Sequence, residues 1–320
     1  MSIGVKIGKK AIWLAHGVIN TLLLIAILLL LAFACYAIWD TNEVHRVANA
    51  ARYEKFKPTI ENKGATFEEL RALNSEVFAW LTVYGTHIDY PVVQGNDNLK
   101  YVNTDVMGNY SLSGAVFLDY QNHPDFKDFN NILYGHHMEK MTMFGEIGQF
   151  ADQSYFDARK YGRLYFGGEE HGLEFFAFVH TDAYNNAVFR ANVKGQNEQQ
   201  EYLDMLLDTA VHKREGVSVT IDDRIAMLST CSETSTNGRD ILIAKITDEV
   251  YADTFNVKPS APVYLPIASI DKLHGLFEQS PWSMKAIMLS IPLLIIILLI
   301  VVIRAFRQRK RNRANRRGEE

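Results

Sequence analysis

The chain has 320 residues, of which 48% are hydrophobic and 22% are charged, and its formal net charge is −4. This composition excludes a disordered or low-complexity protein. Two cysteines exclude a disulfide scaffold and a multi-cysteine zinc module. Residues 1–39 carry three lysines and no acidic residue, and residues 304–320 carry eight basic residues against two glutamates. Two basic ends around an acidic middle are not typical of nucleic-acid-binding proteins, so we expect no nucleic-acid partner.

Both ends of the chain hold apolar segments long enough to cross a membrane. The first covers residues 11–39 and follows a basic segment, residues 1–10. The second covers residues 286–303 and precedes the basic tail, residues 304–320. A membrane-spanning helix needs about 20 apolar residues, and basic residues remain on the cytoplasmic side. The sequence therefore predicts two transmembrane helices, both termini in the cytoplasm, residues 40–282 outside the membrane, and membrane lipid as a partner.

The first apolar segment also resembles a secretory signal peptide, because lysines precede it. Its apolar run is longer than that of a typical signal peptide. The best cleavage site, Ala32-Phe33-Ala34, lies inside the apolar run itself. We therefore favour an uncleaved anchor, and removal of the segment after export stays the alternative.

The residues outside the membrane divide into a stalk, a domain and a linker. Residues 40–65 are polar and mixed without a clear period, and they predict a membrane-proximal stalk. The extracytoplasmic domain is expected over residues 66–265, and the linker over residues 266–285.

Two helices are predicted within this domain. The first covers residues 67–80, where apolar side chains recur at helical spacing. Thr66 and Glu69 fit a capping box at its start. The second helix covers residues 197–212 and has one apolar face.

Short segments rich in β-branched and aromatic residues recur between turn signals in the rest of the domain. They are residues 86–93, 114–119, 131–134, 162–167, 173–181, 217–221, 224–230 and 240–246. A series of short strands of this kind is typical of a closed β-barrel or a β-sandwich. We therefore predict a mainly β fold with peripheral helices, flanked by the two transmembrane helices.

Nucleophilic catalysis is the chemistry that the sequence supports best. Cys231 follows the apolar run 225–228, which places its thiol at the end of a buried strand. Because the thiolate is the nucleophile, a catalytic cysteine needs a basic or cationic neighbour. His136 and His137 follow a predicted strand, and Arg239 lies shortly after Cys231 at the start of another. Adjacent histidines on a strand point to opposite faces, which disfavours one shared metal ion. From this spacing alone, an inert buried cysteine remains an open alternative.

The motifs around these residues resemble the sortase family of cysteine transpeptidases, and class B sortases most. The motifs that carry the resemblance are Leu228-Ser229-Thr230-Cys231, Arg239 downstream of it and Tyr134-Gly135-His136 upstream. Further similar segments are residues 74–81, residues 88–94, Asp97-Asn98 with Tyr101, residues 114–119 and Met143-Phe144. The resemblance spans residues 66–246 of the chain.

The resemblance implies an eight-stranded β-barrel and a thioester mechanism without a metal ion or an organic cofactor. Cys231 would attack the Thr carbonyl of a sorting signal near the C-terminus of a secreted protein. His136 would transfer protons to and from the amines, and Arg239 would hold the signal and stabilise the oxyanion. The preference for His136 over His137 rests on the Tyr-Gly-His motif. Three further residues match positions that line the signal groove in class B sortases, namely Asn98, Tyr134 and Ser229.

The amine acceptor stays open between a pilin lysine and the peptidoglycan cross-bridge or lipid II. A second span with a basic tail is more usual in class C sortases, the pilus polymerases, but residues 40–64 lack their Asp-Pro-aromatic lid motif. Two other functions also stay open, a non-catalytic surface-binding module and a hydrolytic cysteine peptidase. The resemblance implies the surface of a Gram-positive cell.

Overall fold

The computed structural model describes residues 3–59, 64–255 and 257. The predicted linker, second transmembrane helix and basic tail fall within residues 258–320, outside the described residues. The described part of the chain consists of an N-terminal helix followed by a β-rich domain.

A long apolar helix, α1, covers Ile3–Ala48. At 1.5 Å per residue it is about 70 Å long, roughly twice the thickness of the hydrocarbon core of a bilayer. Among the described helices, its part Ala15–Ala48 is the one long and apolar enough to cross a membrane, and no residue in its most apolar window is buried. These properties suggest membrane anchoring.

The segment after α1, predicted as part of a stalk, packs against the domain. Two short 3-10 helices follow α1, Ala50–Arg52 and Glu54–Phe56. Tyr53 between them is buried in the core. Arg52 forms an ion pair with the buried carboxylate of Asp105 at 3.1 Å. The junction between α1 and the domain is therefore a packed contact over these residues.

The domain is built from β-strands that close into a barrel. The described strands are β1 Val77–Val83, β2 Asp89–Val93, β3 Val116–Leu118, β4 Asn130–Tyr134, β5 His137–Met138, β6 Thr142–Met143, β7 Tyr161–Phe166, β8 Glu169–Asp182, β9 Ala210–Lys213, β10 Arg224–Cys231 and β11 Gly238–Thr247. Eight of these strands follow the order β11–β10–β4–β3–β2–β1–β7–β8, and pairing of β8 with β11 closes the barrel. The pairs β2–β3 and β4–β10 are parallel, and the other barrel pairs are antiparallel. The structure confirms the predicted eight-stranded, mainly β barrel.

Among the described residues after α1, the α-helices are α2 Ala65–Leu73, α3 Gln153–Ala158 and α4 Gln196–Thr209, and two further 3-10 helices cover Lys100–Val102 and Ile147–Ala151. The predicted capping box at Thr66 is wrong, because α2 begins at Ala65 and the residue before its first turn is Gly64. The predicted helix over residues 197–212 ends at Thr209, and the next residues form β9 beside β8.

The predicted helix over residues 67–80 is wrong in its second half. The side-chain oxygen of Asn74 accepts the backbone N–H of Glu76 at 3.1 Å, in a turn that competes with the helix. Val77 and Trp80 then lie in β1. Because nearly every residue of β1 is buried, its apolar run lacks the alternation that marks a half-buried strand. Such an apolar run fits a helical period equally well. The sequence pattern therefore predicts a helix where the structure has the strand β1.

Residues 217–221 were predicted as a strand, but the described structure places no strand there. Val217 and Val219 pack instead against an apolar cluster beneath α4. Their alternate burial therefore arises from side-chain packing without strand pairing. The other predicted strands correspond to β2, β3, β4, β7, β8, β10 and β11.

The core has two parts, one inside the barrel and one between the barrel and α4. Along β10, Leu228 belongs to the inner cluster and Met227 to the outer one. Along β11, Leu242 belongs to the inner cluster and Ile241 to the outer one. Successive side chains of a strand point to opposite faces. The odd-numbered residues at this end of β10 and β11 therefore face outward, which sets the direction of Cys231.

Candidate active site

The predicted nucleophile lies at the outer edge of the barrel. Cys231 is the last residue of β10, and its thiol is exposed. Arg239 lies directly opposite Cys231 in the antiparallel ladder of β10 and β11. Side chains directly opposite in such a ladder share a face, with Cβ atoms about 5 Å apart. The structure therefore brings the thiol and the guanidinium together on one face.

The predicted histidine reaches the same edge through the neighbouring strand. β4 pairs in parallel with β10, with Tyr134 beside Ser229. The backbone N–H of Gly135 donates to the Ser229 carbonyl oxygen at 3.2 Å, so the pairing continues past the end of β4. In this register, His136 comes two residues after the Tyr134–Ser229 pair along its strand, as Cys231 does along β10. The parallel pairing thus explains how a cysteine and a histidine far apart in sequence share one edge.

Glycine is required between Tyr134 and His136. A Cβ atom on Gly135 would lie 2.8 Å from the ring of Phe144. Phe144 is fully buried, and its backbone N–H donates to the His136 carbonyl oxygen at 3.0 Å. The buried ring therefore packs against the backbone that carries His136 and holds that backbone in place.

A hydrogen bond fixes the orientation of the His136 ring. Its Nε2 lies 2.8 Å from the Val102 carbonyl oxygen. A carbonyl oxygen can only accept, so Nε2 carries the hydrogen. In the neutral ring the free lone pair is then on Nδ1, which is the nitrogen that can accept a proton. No sequence pattern indicates this role of Val102, because the contact involves a backbone atom of a segment distant in the chain.

The Arg239 side chain is hydrogen-bonded to its own strand, and its positive charge acts on the neighbouring side chain of Tyr134. Its Nη1 donates to the Gly238 carbonyl oxygen at 3.0 Å. Burial, followed by the carboxylate of Asp119, raises the pKa of Tyr134, and the positive charge of Arg239 partly opposes this increase. The Arg239 guanidinium is therefore close enough to influence the phenol of Tyr134.

Two of the three predicted groove residues meet at one buried carboxylate. The Asn98 side chain donates to Asp119 Oδ2 at 2.7 Å, and the Tyr134 hydroxyl donates to the same oxygen at 3.1 Å. The third residue, Ser229, is buried, and its hydroxyl has no hydrogen-bond partner among the described residues. Sequence reasoning missed Asp119, although it ends one of the segments that resemble class B sortases.

The neighbouring histidine has a different environment. His137 begins β5, and its Nε2 lies 2.8 Å from a carboxylate oxygen of Glu233 in the loop after Cys231. This contact ties the β5–β6 hairpin to the loop that follows the thiol.

Among the described residues, no group of three or more His, Cys, Asp or Glu side chains is arranged to hold a metal ion.

Known proteins are similar to this chain in sequence and architecture, although no family model matches it. The chain is 31% identical to sortase B of Listeria monocytogenes over 186 residues, which are 57% of this chain and 74% of that protein. It is similar in structure to sortase B from the type II pilus of Streptococcus pneumoniae, with 48% identity, a TM-score of 0.51, and coverage of 57% of this chain and 99% of the other. A class B sortase of Streptococcus pyogenes involved in pilus biogenesis gives 41% identity, a TM-score of 0.52 and the same coverages.

Together with these relatives, the closed barrel and the cysteine at the end of a strand identify the class of protein as a cysteine transpeptidase. The chain belongs to the sortase family and is class B-like.

Proposed function

We propose that this chain is a membrane-anchored transpeptidase that cleaves a C-terminal sorting signal of secreted proteins and joins the new carboxyl end to an amine. The observation that carries the proposal is the direct pairing of Cys231 with Arg239, with His136 at the same strand edge. A nucleophile, a proton carrier and a fixed cation at one edge are the groups that acyl transfer needs.

The first half-reaction forms a thioester. The Cys231 thiolate attacks the Thr carbonyl carbon of the signal, a C–S bond forms, and the carbonyl oxygen becomes an oxyanion beside Arg239. The protonated His136 ring gives its Nδ1 proton to the leaving amine as the C–N bond breaks. A preformed cation at the oxyanion typically contributes several kcal/mol to transition-state stabilisation.

The second half-reaction consumes the thioester. The acceptor amine attacks the acyl carbon, a new C–N bond forms, the C–S bond breaks, and His136 Nδ1 takes the proton from the amine. The thiolate of Cys231 is restored. Since an amide is exchanged for an amide, the reaction needs no ATP.

The proposed acceptor is a lysine side chain of a pilin subunit. The support comes from the relatives, because the two pilus-associated sortases are 48% and 41% identical to this chain, against 31% for the Listeria sortase B. Amine groups of the peptidoglycan cross-bridge or of lipid II are the competing acceptors. The acceptor experiment below separates these chemistries.

The proposed topology has two spans, with both termini in the cytoplasm and the barrel outside the cell membrane of a Gram-positive organism. The exposed apolar surface of α1 supports the first span. The second span rests on the apolar run over residues 286–303 and the basic residues after it.

The test uses the full-length chain in detergent micelles. Its donors are a positional-scanning library of fluorescence-quenched peptides with Thr fixed at the acyl position. Its acceptors are triglycine and a blocked decapeptide with one lysine, and mass spectrometry identifies the products. Cys231→Ala is the inactive variant and Cys35→Ala the matched control, since these are the two cysteines of the chain.

Amide products that require Cys231 and tolerate Cys35→Ala would support transpeptidation, and preference for the lysine peptide would support pilus assembly. Preference for triglycine would assign the chain to wall anchoring. Cleavage with water as the acceptor would favour the hydrolytic peptidase. Peptide binding without any thioester would favour the binding module.

A further inference from the structure

A buried carboxylate lies behind the predicted groove. Asp119 follows β3 directly and is 5% exposed. Its Oδ2 accepts hydrogen bonds from Asn98 and Tyr134, and its Oδ1 accepts the backbone N–H of Gln121 at 2.9 Å. A buried carboxylate is tolerated when such donors satisfy its oxygens. Asp119 therefore requires both groove side chains to point their hydrogens towards it.

The carboxylate sets the orientation of the Asn98 amide. Asn98 Nδ2 donates to Asp119, and Asn98 Oδ1 accepts the backbone N–H of Tyr120 at 3.0 Å. Exchanging the oxygen and nitrogen of this amide would place two acceptors against each other at Asp119. The position of each Asn98 atom is therefore determined before any ligand arrives.

The carboxylate also sets the hydrogen-bonding role of Tyr134. A phenol has one hydrogen and two acceptor lone pairs. Since Tyr134 donates its hydrogen to Asp119, the phenol oxygen offers only lone pairs to its other neighbours. A ligand that meets Tyr134 must therefore bring a donor, such as a backbone N–H.

We propose that Asp119 is a positioning residue for the signal groove, which orients Asn98 and keeps the Tyr134 oxygen as an acceptor for an N–H group of the bound peptide. This inference rests on the proposed function, because it needs a peptide in the groove. It assigns a role in peptide recognition and no role in bond breaking. Loss of Asp119 should therefore weaken peptide binding and leave the reactivity of Cys231 unchanged.

The informative variants are Asp119→Ala and Asp119→Asn. Asn keeps the size of the side chain, but its N–H groups can donate to the Tyr134 oxygen and reverse the role of the phenol. We expect both variants to raise KM for the best library peptide about tenfold, the typical effect of losing one hydrogen bond to a charged group, with little change in kcat. Alkylation of Cys231 by iodoacetamide should proceed at the unsubstituted rate.

Asp223→Asn is the matched control. Asp223 Oδ2 also accepts two donors, the Thr220 backbone N–H at 2.8 Å and the Thr220 hydroxyl at 3.1 Å. It precedes β10, whereas Cys231 ends that strand. Its loss removes comparable hydrogen bonds at the other end of the barrel, so KM should stay unchanged. Thermal unfolding of each variant in the same detergent identifies any variant that fails to fold.

A double-mutant cycle with Tyr134→Phe tests the mechanism itself. If Asp119 acts through the Tyr134 hydroxyl, Asp119→Asn should raise KM much less in the Tyr134→Phe background than in the unsubstituted chain. Two results would overturn this inference alone, provided that the unsubstituted protein is active. The first is full additivity of the effects of the two substitutions on KM. The second is an unchanged KM in a folded Asp119→Asn variant. Absence of Cys231-dependent transfer by the unsubstituted protein would overturn the proposed function and this inference together.

Discussion

Arg239 faces Cys231 across the last pair of the β10–β11 ladder. The intervening loop closes with two backbone hydrogen bonds, Ser232 N–H to Gly238 O at 2.8 Å and Gly238 N–H to Ser235 O at 3.2 Å. The relative position of the thiol and the guanidinium is thus set by sheet register and a closed loop. A cation held in this way needs little reorganisation when negative charge develops beside it, which is the physical basis of electrostatic catalysis.

The two adjacent histidines provide a direct test of the site. We expect His136→Asn to lower the transfer rate about 10³-fold, the usual scale for loss of a general acid–base group. His137→Asn should retain most of the activity, because His137 contacts Glu233 in the loop after the thiol. Quenched-flow product formation with the best library peptide measures both variants. The reverse ranking would move the proton-transfer role to His137.

We expect the planar guanidinium of Arg239 to contribute to kcat through its arrangement of donors as well as through its charge. Arg239→Ala should lower kcat by about 10²–10³, the range for removal of one oxyanion donor. Arg239→Lys should recover only part of this loss, since an ammonium lacks the planar fork of donors. Steady-state kinetics provide the measurement. Arg163→Lys, which alters an ion pair with Glu170 on the neighbouring strand, is the matched control and should leave kcat unchanged. Equal rates for Arg239→Lys and the unsubstituted chain would reduce the role of Arg239 to charge alone.

One buried hydroxyl bridges the end of α1 and the barrel. Tyr90 donates to the Ala48 carbonyl oxygen at 2.9 Å and accepts the Met143 backbone N–H at 2.8 Å. Tyr90→Phe leaves both backbone groups without this partner and should lower the free energy of unfolding by about 1–3 kcal/mol. Denaturant titration of the full chain in micelles measures the change. Tyr110→Phe, with Tyr110 77% exposed, is the control and should have no effect. Equal stability of the two variants would show that the bridge is dispensable.

A partly buried histidine makes stability depend on pH. His171 stacks on Phe166 at a ring distance of 4.1 Å, and burial, followed by the charge of Arg224, lowers its pKa from 6.5. The native state therefore binds fewer protons than the unfolded state below pH 6.5, so this histidine lowers stability as the pH falls from 6.5 through its native pKa. His171→Asn should reduce the fall in unfolding temperature between pH 7 and pH 5.

The control for this prediction is His123→Asn, because the His123 side chain is 55% exposed. It should leave the pH dependence of the unfolding temperature unchanged. Scanning calorimetry at matched ionic strength compares the three proteins. An identical pH profile for His171→Asn and the unsubstituted chain would refute the assignment.

Local patterns explain which parts of the fold were predictable. Seven barrel strands were recognised because short runs of β-branched and aromatic residues end at turn signals, and both properties are local. β1 was missed because burial on both faces removed its alternation. The strand predicted over residues 217–221 was wrong because Val217 and Val219 gain their burial from packing beneath α4.

The sequence by itself determined that Cys231 ends a buried strand and that Arg239 begins the strand after a short loop, because neighbours in the chain define a hairpin. It also placed His136 at a strand end, but not beside Cys231. Only the tertiary structure decided that β4 pairs with β10, that Val102 orients the His136 ring, and that Asn98 and Tyr134 share Asp119. These contacts join segments far apart in the chain, and their geometry exists only once the barrel has closed.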